Sequence, residues 1–335
     1  MRYPTSRPRV ERAGGSVLLY VIFVVLLLSL FVASVGSQAR FALDLSERLW
    51  HQLRAAAIAR GALQRAALAL ERDRTSMVDG LNDSWADLPE LFQSHPLAGG
   101  TFTIIADDRA TPIRYGLADE ERRLNLNTAP AEVLAQLAHV AAELHADDAA
   151  KLAAAVEDWR DPDDQERPLG AERSYYQSLL DGYACKDGPF ENVEELLLVR
   201  GVSPQVYRQL EPYVTVYGSG RVNLNTASRT VLQALGLSET GVAGLVAFRA
   251  GEDDHEMTGD DRTLAAIDGL ESELKSYVPV EDLARLAQLA TKNVLTIHSE
   301  AFRMVVQADD GQSASRVTAR SVIDRHGRIQ LWSEQ

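Results

Sequence analysis

The sequence predicts an α+β protein: a long N-terminal helix packed on an antiparallel sheet, with a large helical insertion interrupting that sheet. Three observations carry this. No Asp, Glu, Lys or Arg occurs from Ala13 to Ala39. Two strand-like runs come early and three come late, with a mostly helical pattern between them. A 15-residue motif occurs twice, 98 residues apart, inside that helical region.

The chain has 335 residues and a net charge of −14. At 46% hydrophobic residues, most of it can bury a core. The acidic balance argues against nucleic acid as the main partner, because phosphate binding needs clustered Lys and Arg. Cys185 is the one cysteine, so no intrachain disulfide forms. No G-x-S-x-G, P-loop or H-E-x-x-H is present and the histidines are scattered, so nothing proposes an enzyme.

The first element is the apolar helix. Residues 16–35 carry no charge and are mostly aliphatic, enough to span a bilayer core of about 30 Å. Arg2, Arg7, Arg9 and Arg12 precede it against Glu11 alone, which keeps the N-terminus cytoplasmic. Three readings compete: a cleaved secretory signal ending at Ser37-Gln38-Ala39, a plain anchor, or a cytoplasmic cut between Gly15 and Ser16 with the helix retained. A short basic leader, a glycine and a long apolar helix resemble the class III signal of type IV pilins and pseudopilins. In that family a prepilin peptidase cuts after the glycine and the new N-terminus is methylated. Most members carry Glu at the fifth mature position, and Tyr20 stands there in this chain. Lacking that charge forfeits a contact to the subunit ahead, which among pseudopilins marks the minor subunit at the tip. The helix is expected to run on to Arg74, with a stripe of Leu45, Leu49, Leu53, Ala56, Ile58, Leu63, Ala67 and Leu70 and a weak point at Gly61.

Residues 100–108 read as a strand with 111–120 as its hairpin partner. Residues 299–310, 314–325 and 327–335 read as three strands joined by turns at Asp309-Asp310-Gly311 and His326-Gly327. The expected division is a leader (1–15), a membrane helix (16–40), a first pilin-like part (41–122), an inserted helical domain (123–290) and C-terminal strands (291–335).

The insertion holds the repeat. RLNLNTAPAEVLAQL (123–137) returns as RVNLNTASRTVLQAL (221–235), with 9 of 15 positions identical. Thr128 and Thr226 are expected to cap the following helices, and Asn127 and Asn225 to close the turns before them. The motif resembles helix-hairpin-helix units, whose DNA-binding members present backbone N–H groups to a phosphate from a Gly-h-Gly hairpin. Here the second hairpin is Gly236-Leu-Ser-Glu-Thr-Gly241, with Glu239 where a phosphate approaches. Between Ala141 and Gly220, 16 acidic residues face 7 basic ones, a surface that repels a polyanion.

EDWRDPDDQERPLGAERSYY (157–176) is the candidate for site chemistry. Asp161, Asp163, Asp164, Glu166 and Glu172 crowd one loop. Either calcium, a hard cation taking oxygen ligands, separates these charges, or the loop is simply solvated. Glu172 is twelfth from Asp161, as in an EF-hand, but Glu166 stands where that loop needs Gly. Residues 251–261 form a second acidic loop, read as flexible or as a second cation loop.

The order of these pieces is specific. A class III leader without Glu at position five is followed by R-L-N-L-N-T-A, D-W-R-D-P-D-D, P-F-E-N-V-E-E-L-L-L-V-R-G-V and R-V-N-L-N-T-A, then C-terminal strands. Together they resemble the general secretion pathway protein K family, the large minor pseudopilins of the type II secretion system. That resemblance implies a non-enzymatic subunit capping a periplasmic pseudopilus, in complex with minor pseudopilins I and J above the major pseudopilin. It implies an inner-membrane anchor, with the bulk of the chain periplasmic. It also implies calcium in the helical domain, at positions matching Asp161, Asp163, Asp164 and Glu172. Two other classes stay open: a membrane-tethered helix-hairpin-helix DNA receptor for uptake, and a simple anchored calcium-binding protein.

Overall fold

The computed structural model describes residues 14–73, 77–106, 112–312 and 316–334; most of the leader lies outside them. The chain divides into two units, residues 1–54 and 55–335.

The first unit is helical from Gly14, within an element that runs to Arg72. Its apolar side chains, Tyr20, Leu26 and Phe31 among them, are exposed. The helix is the one among the described residues long and apolar enough to cross a membrane, with mean hydropathy 2.9 over its most apolar stretch. Leu45, Leu49 and Leu53 are also exposed.

In the second unit the same helix buries Ala55, Ile58, Ala59, Ala62, Leu63, Ala66, Ala69 and Leu70. These fall at i, i+3, i+4 and i+7, the spacing that gathers one helical face. Of the expected stripe, Ile58, Leu63 and Leu70 are buried here and Ala56 packs beside them, while Leu45, Leu49 and Leu53 are exposed; the rest of the buried face is alanine, so the sheet approaches closely. Gly61 is part of that approach: a Cβ there would lie 2.6 Å from Leu97 Cδ2.

The sheet contains β1 (His95–Leu97), β2 (Gly100–Ile105) and the short β3 (Ala118–Asp119). The insertion supplies β4 (Leu124–Asn125), β5 (Val214–Thr215), β6 (Val222–Asn223) and β7 (Leu295–Thr296). The C-terminus returns β8 (Ala301–Asp309), β9 (Arg316–Asp324) and β10 (Ile329–Glu334) to the sheet. The strand order is β1-β2-β8-β9-β10, all antiparallel, with β3 also paired to β8. The hairpin partner of β2 is thus residues 95–97, not 111–120; among the described residues of the latter, only Ala118–Asp119 is strand, and it pairs with β8. Phe102, Ile104, Phe302, Met304 and Val306 form the sheet's side of the core.

Residues from Leu124 to Leu295 bury a separate apolar core. Two parallel strand pairs frame it, β4 with β5 and β6 with β7. Residues 295–296 therefore pair within the insertion, beyond the expected limit at 290. Where the insertion leaves the sheet, the seam is polar and buried. Glu120 accepts from Arg303 and from the Thr215 hydroxyl. Glu121 accepts from Ser219 N at 2.7 Å and Ala301 N at 3.3 Å. Asp119 accepts from Asn223 Nδ2 at 3.2 Å and from the Thr226 hydroxyl.

Candidate functional site

The two copies of the motif build one hydrogen-bond pattern twice. The first Asn of each closes the turn: Asn127 N donates to Asn125 Oδ1 at 2.9 Å, and Asn225 N to Asn223 Oδ1 at 2.9 Å. The second Asn reaches a distant backbone segment. Asn127 exchanges two bonds with Phe190, and Asn225 exchanges two with Leu264. An arginine at the end of a helix braces each turn. Arg160 donates to the carbonyls of Leu126 and Ala129, and Arg249 to those of Leu224 and Ala227.

This corrects the expected roles of four residues. Asn127 and Asn225 are long-range clamps, not turn closers, because the preceding Asn already fills the turn. Thr128 and Thr226 are not helix caps. The helices begin later, at Ala131 and Arg229, with Pro130 and Ser228 in the cap positions. Ser228 Oγ accepts from Val231 N at 3.3 Å, as a cap should. Thr128 instead donates to Gly220 O, and Thr226 to Asp119.

After each bracing arginine the chain enters an acidic loop, but the two loops differ. In the second, Asp260 Oδ2 accepts from Glu252 N at 2.6 Å and Asp253 N at 3.1 Å, and Asp261 accepts from Met257 N and Thr258 N. The Thr258 hydroxyl and the Glu252 amide pull Asp260 down to about 2. Glu256 pairs with Arg249. These carboxylates are satisfied by the chain itself.

In the first loop they are not. Buried Asp158 anchors it, accepting from Arg167 Nη1 at 2.9 Å. Gly170 passes so close that a Cβ there would lie 1.9 Å from Asp158 Oδ2. That crossing carries Glu172 inward, to 2% exposure. Asp161 and Asp163 place carboxylate oxygens within 4.8 Å of one on Glu172, and so do Cys185 Sγ and an Asp187 oxygen. Arginines hold the outer oxygens: Asp161 Oδ2 accepts from Arg167, and Asp187 Oδ2 from Arg173 Nη2 at 2.8 Å. The inner oxygens, Asp161 Oδ1, Asp187 Oδ1 and both of Glu172, are buried with no hydrogen-bond partner.

Carboxylates so placed repel one another. Burial, then Asp158, Asp161 and Asp187, pushes Glu172 up to about 7. Burial, with Asp187 and Glu172 nearby, pushes the Cys185 thiol up to about 12. Unpartnered inward oxygens fixed from behind by arginines suit a hard cation such as calcium. Asp161, Asp163 and Glu172 meet, as the sequence suggests. Asp164 does not join them; it turns out to Arg173 at 3.2 Å. Asp187 and Cys185 were not foreseen. They lie beyond a 12-residue intervening stretch, and the Asn127–Phe190 clamp fixes the chain just past them.

The hairpin before the helix Glu239–Arg249 holds an anion already. Asp282 Oδ1 accepts from Ser238 N at 2.9 Å, and Oδ2 from Ser238 Oγ at 2.6 Å. A Cβ on Gly241 would lie 2.1 Å from Asp282 Oδ2. The chain's own carboxylate takes the place a phosphate would need.

At the other end of the chain, Gly15, Ser16 and Tyr20 lie in the first helix, with Tyr20 exposed.

Residues 117–219 match the family model described as type II secretion system (T2SS), protein K. The chain is 25% identical to type II secretion system protein K of Klebsiella pneumoniae, over 95% of this chain and 94% of that protein. It is 28% identical to the protein of the same name from Pectobacterium carotovorum, over 67% and 69%. In fold it is similar to a chain of the GspK-GspI-GspJ crystal structure from the enterotoxigenic Escherichia coli type 2 secretion system. The TM-score is 0.60 at 21% identity, covering 89% of this chain and 97% of that one. With its long N-terminal helix, antiparallel sheet and helical insertion, the chain is similar to type II secretion system protein K along nearly its whole length.

Proposed function

We propose that this chain caps the tip of the type II secretion pseudopilus, as a non-enzymatic minor pseudopilin held in the inner membrane before assembly. The observation that carries the tip position is Tyr20. An uncharged residue at the fifth mature position leaves no carboxylate for the N-terminal amine of a subunit ahead. A charge there costs a few kcal/mol in the bilayer, so its absence suits a subunit with nothing above it. The bulk of the insertion, from Leu124 to Thr296, supports the same place, because a body of that size does not stack inside a fibre.

The similar solved structure is a complex of GspK with GspI and GspJ, and minor pseudopilins I and J are the partners proposed here. The major pseudopilin is expected below them, and the bulk of the chain in the periplasm. Processing is expected between Gly15 and Ser16 by a prepilin peptidase. The acidic loop takes calcium through Asp161, Asp163 and Glu172, stiffening the insertion. A DNA-receptor role is disfavoured by Asp282, which fills the hairpin.

The test is the N-terminal mass of the membrane-extracted protein, with and without a co-expressed prepilin peptidase. A peptidase-dependent start at Ser16, with or without an added methyl, is expected. An intact Met1, or a start at Arg40, overturns the reading. Cross-linking within assembled fibres tests the tip position: links from this chain to subunits below it are expected, and a subunit linked above it overturns the tip reading.

A further inference from the structure

The helix Val280–Thr291 carries apolar residues on two faces. Leu283, Leu286 and Leu289 belong to the face buried in the insertion's core. The second face is open. Val280 is 77% exposed, and Ala284, Ala287 and Thr291 are exposed with it. From 280 to 291 these follow one another at steps of 4, 3 and 4 residues, the a/d seam along which one helix receives another. The Thr291 hydroxyl donates to Ala287 O at 2.9 Å, so its polarity is satisfied within the helix. The seam lines an open groove of about 540 Å³, whose other wall comes from residues 267–275. Such a floor offers an incoming backbone no hydrogen-bond partners, so the occupant must satisfy its own, as a helix does and a lone strand does not. Alanine at the two central positions lets the occupant's axis come close.

The charge around the groove selects among helices. Asp268 and Glu271 are exposed on its wall, and Lys275 is the one cation lining it. From Ile267 to Thr291 the chain holds five acidic residues and two basic ones. The second basic residue, Arg285, is engaged by Glu132 and the Leu235 carbonyl. Charges flanking an a/d seam set partner choice between paired helices, and carboxylates favour Lys or Arg opposite them. We propose that this groove docks an amphipathic helix of a protein partner, with an apolar a/d face and Lys or Arg along its flanks. The site uses neither the Tyr20 segment nor the Glu172 loop, so its outcome is independent of the tip and calcium readings.

The probe is a synthetic helical peptide of about three heptads, with Leu at a and d, Lys at e and g, and a single Trp at one end. The full chain in detergent carries Thr291→Cys labelled with bimane, a fluorophore that Trp quenches only on contact. Cys185 is 5% exposed and stays unlabelled in the folded protein. Saturable quenching at one peptide per chain is expected. A peptide with Glu at e and g should not quench. Asp268→Lys with Glu271→Lys should weaken docking of the Lys peptide about tenfold at low salt. Ala287→Glu should abolish quenching although it adds negative charge, because it fills the seam; the position is exposed and Glu is a good helix former, so the fold is kept. No quenching by the Lys peptide, including a peptide held only by the micelle, overturns the proposal. So does equal quenching by the Glu peptide, or unchanged quenching in Ala287→Glu.

Discussion

The side chain of Asn127 and the backbone of Phe190 exchange two hydrogen bonds across 63 residues: Nδ2 donates to the carbonyl at 3.0 Å, and the Phe190 amide donates to Oδ1 at 2.7 Å. Asn225 does the same with Leu264. One clamp ends the loop in which inner carboxylate oxygens lack partners; the other ends the loop whose carboxylates are satisfied by the chain.

Asn127→Ala should therefore do two things. Orphaning both backbone groups should cost about 2 kcal/mol, read from chemical denaturation. It should also weaken calcium binding, because the segment carrying Asp187, which packs against the proposed calcium ligand Glu172, loses its fixed position. Asn225→Ala should cost at least as much stability but leave calcium affinity unchanged. Equal calcium affinity in wild type and Asn127→Ala would sink the clamp's role in the site.

Glu172→Gln should reverse sign with calcium. The folded Glu172 titrates near 7 against an ordinary 4.5, because burial and neighbouring carboxylates disfavour its charge. Stability without calcium thus falls as pH rises from about 4.5 to about 7. Near neutral pH without calcium the neutral variant should melt higher than wild type. With calcium it should melt lower, having lost a ligand. Differential scanning fluorimetry in calcium and in EGTA reads both.

The seam between sheet and insertion should respond to pH in the same direction. Burial and then Asp119 push Glu121 up to about 8 from its ordinary 4.5. The folded state holds the proton more tightly, so stability falls as pH rises across that window, by up to about 1.4 kcal/mol per unit. Glu121→Gln removes the slope. The variant should gain on the wild type steadily from pH 4.5 to 8, and a parallel pair of curves would refute this.

Asp282→Ala should destabilise the second half of the insertion by about 2 kcal/mol, since Ser238 N and Oγ lose their acceptor. The wild-type chain should show no salt-sensitive gain in the fluorescence anisotropy of labelled duplex DNA at low salt. Binding that weakens steeply with salt would revive the uptake reading.

The sequence by itself determined the order of the pieces: the apolar helix, the late strands, the doubled motif and the acidic loop after Arg160. Each rests on local periodicity, charge or repetition, which a linear chain carries openly. Only the tertiary structure decided which helical face is buried, since Ala55, Ala59 and Ala62 have no apolar signal stronger than that of exposed Leu45 and Leu49. It likewise decided that β1, not residues 111–120, pairs with β2. The acidic cluster divides in the same way. Asp161, Asp163 and Glu172 share one loop and can be read together. Cys185 and Asp187 join them only because the Asn127 clamp and the Gly170–Asp158 crossing fold distant backbone onto that loop. Which acidic loop is left with unpartnered carboxylate oxygens depends on which carboxylates find backbone amides, and those partners exist only once the chain has closed on itself.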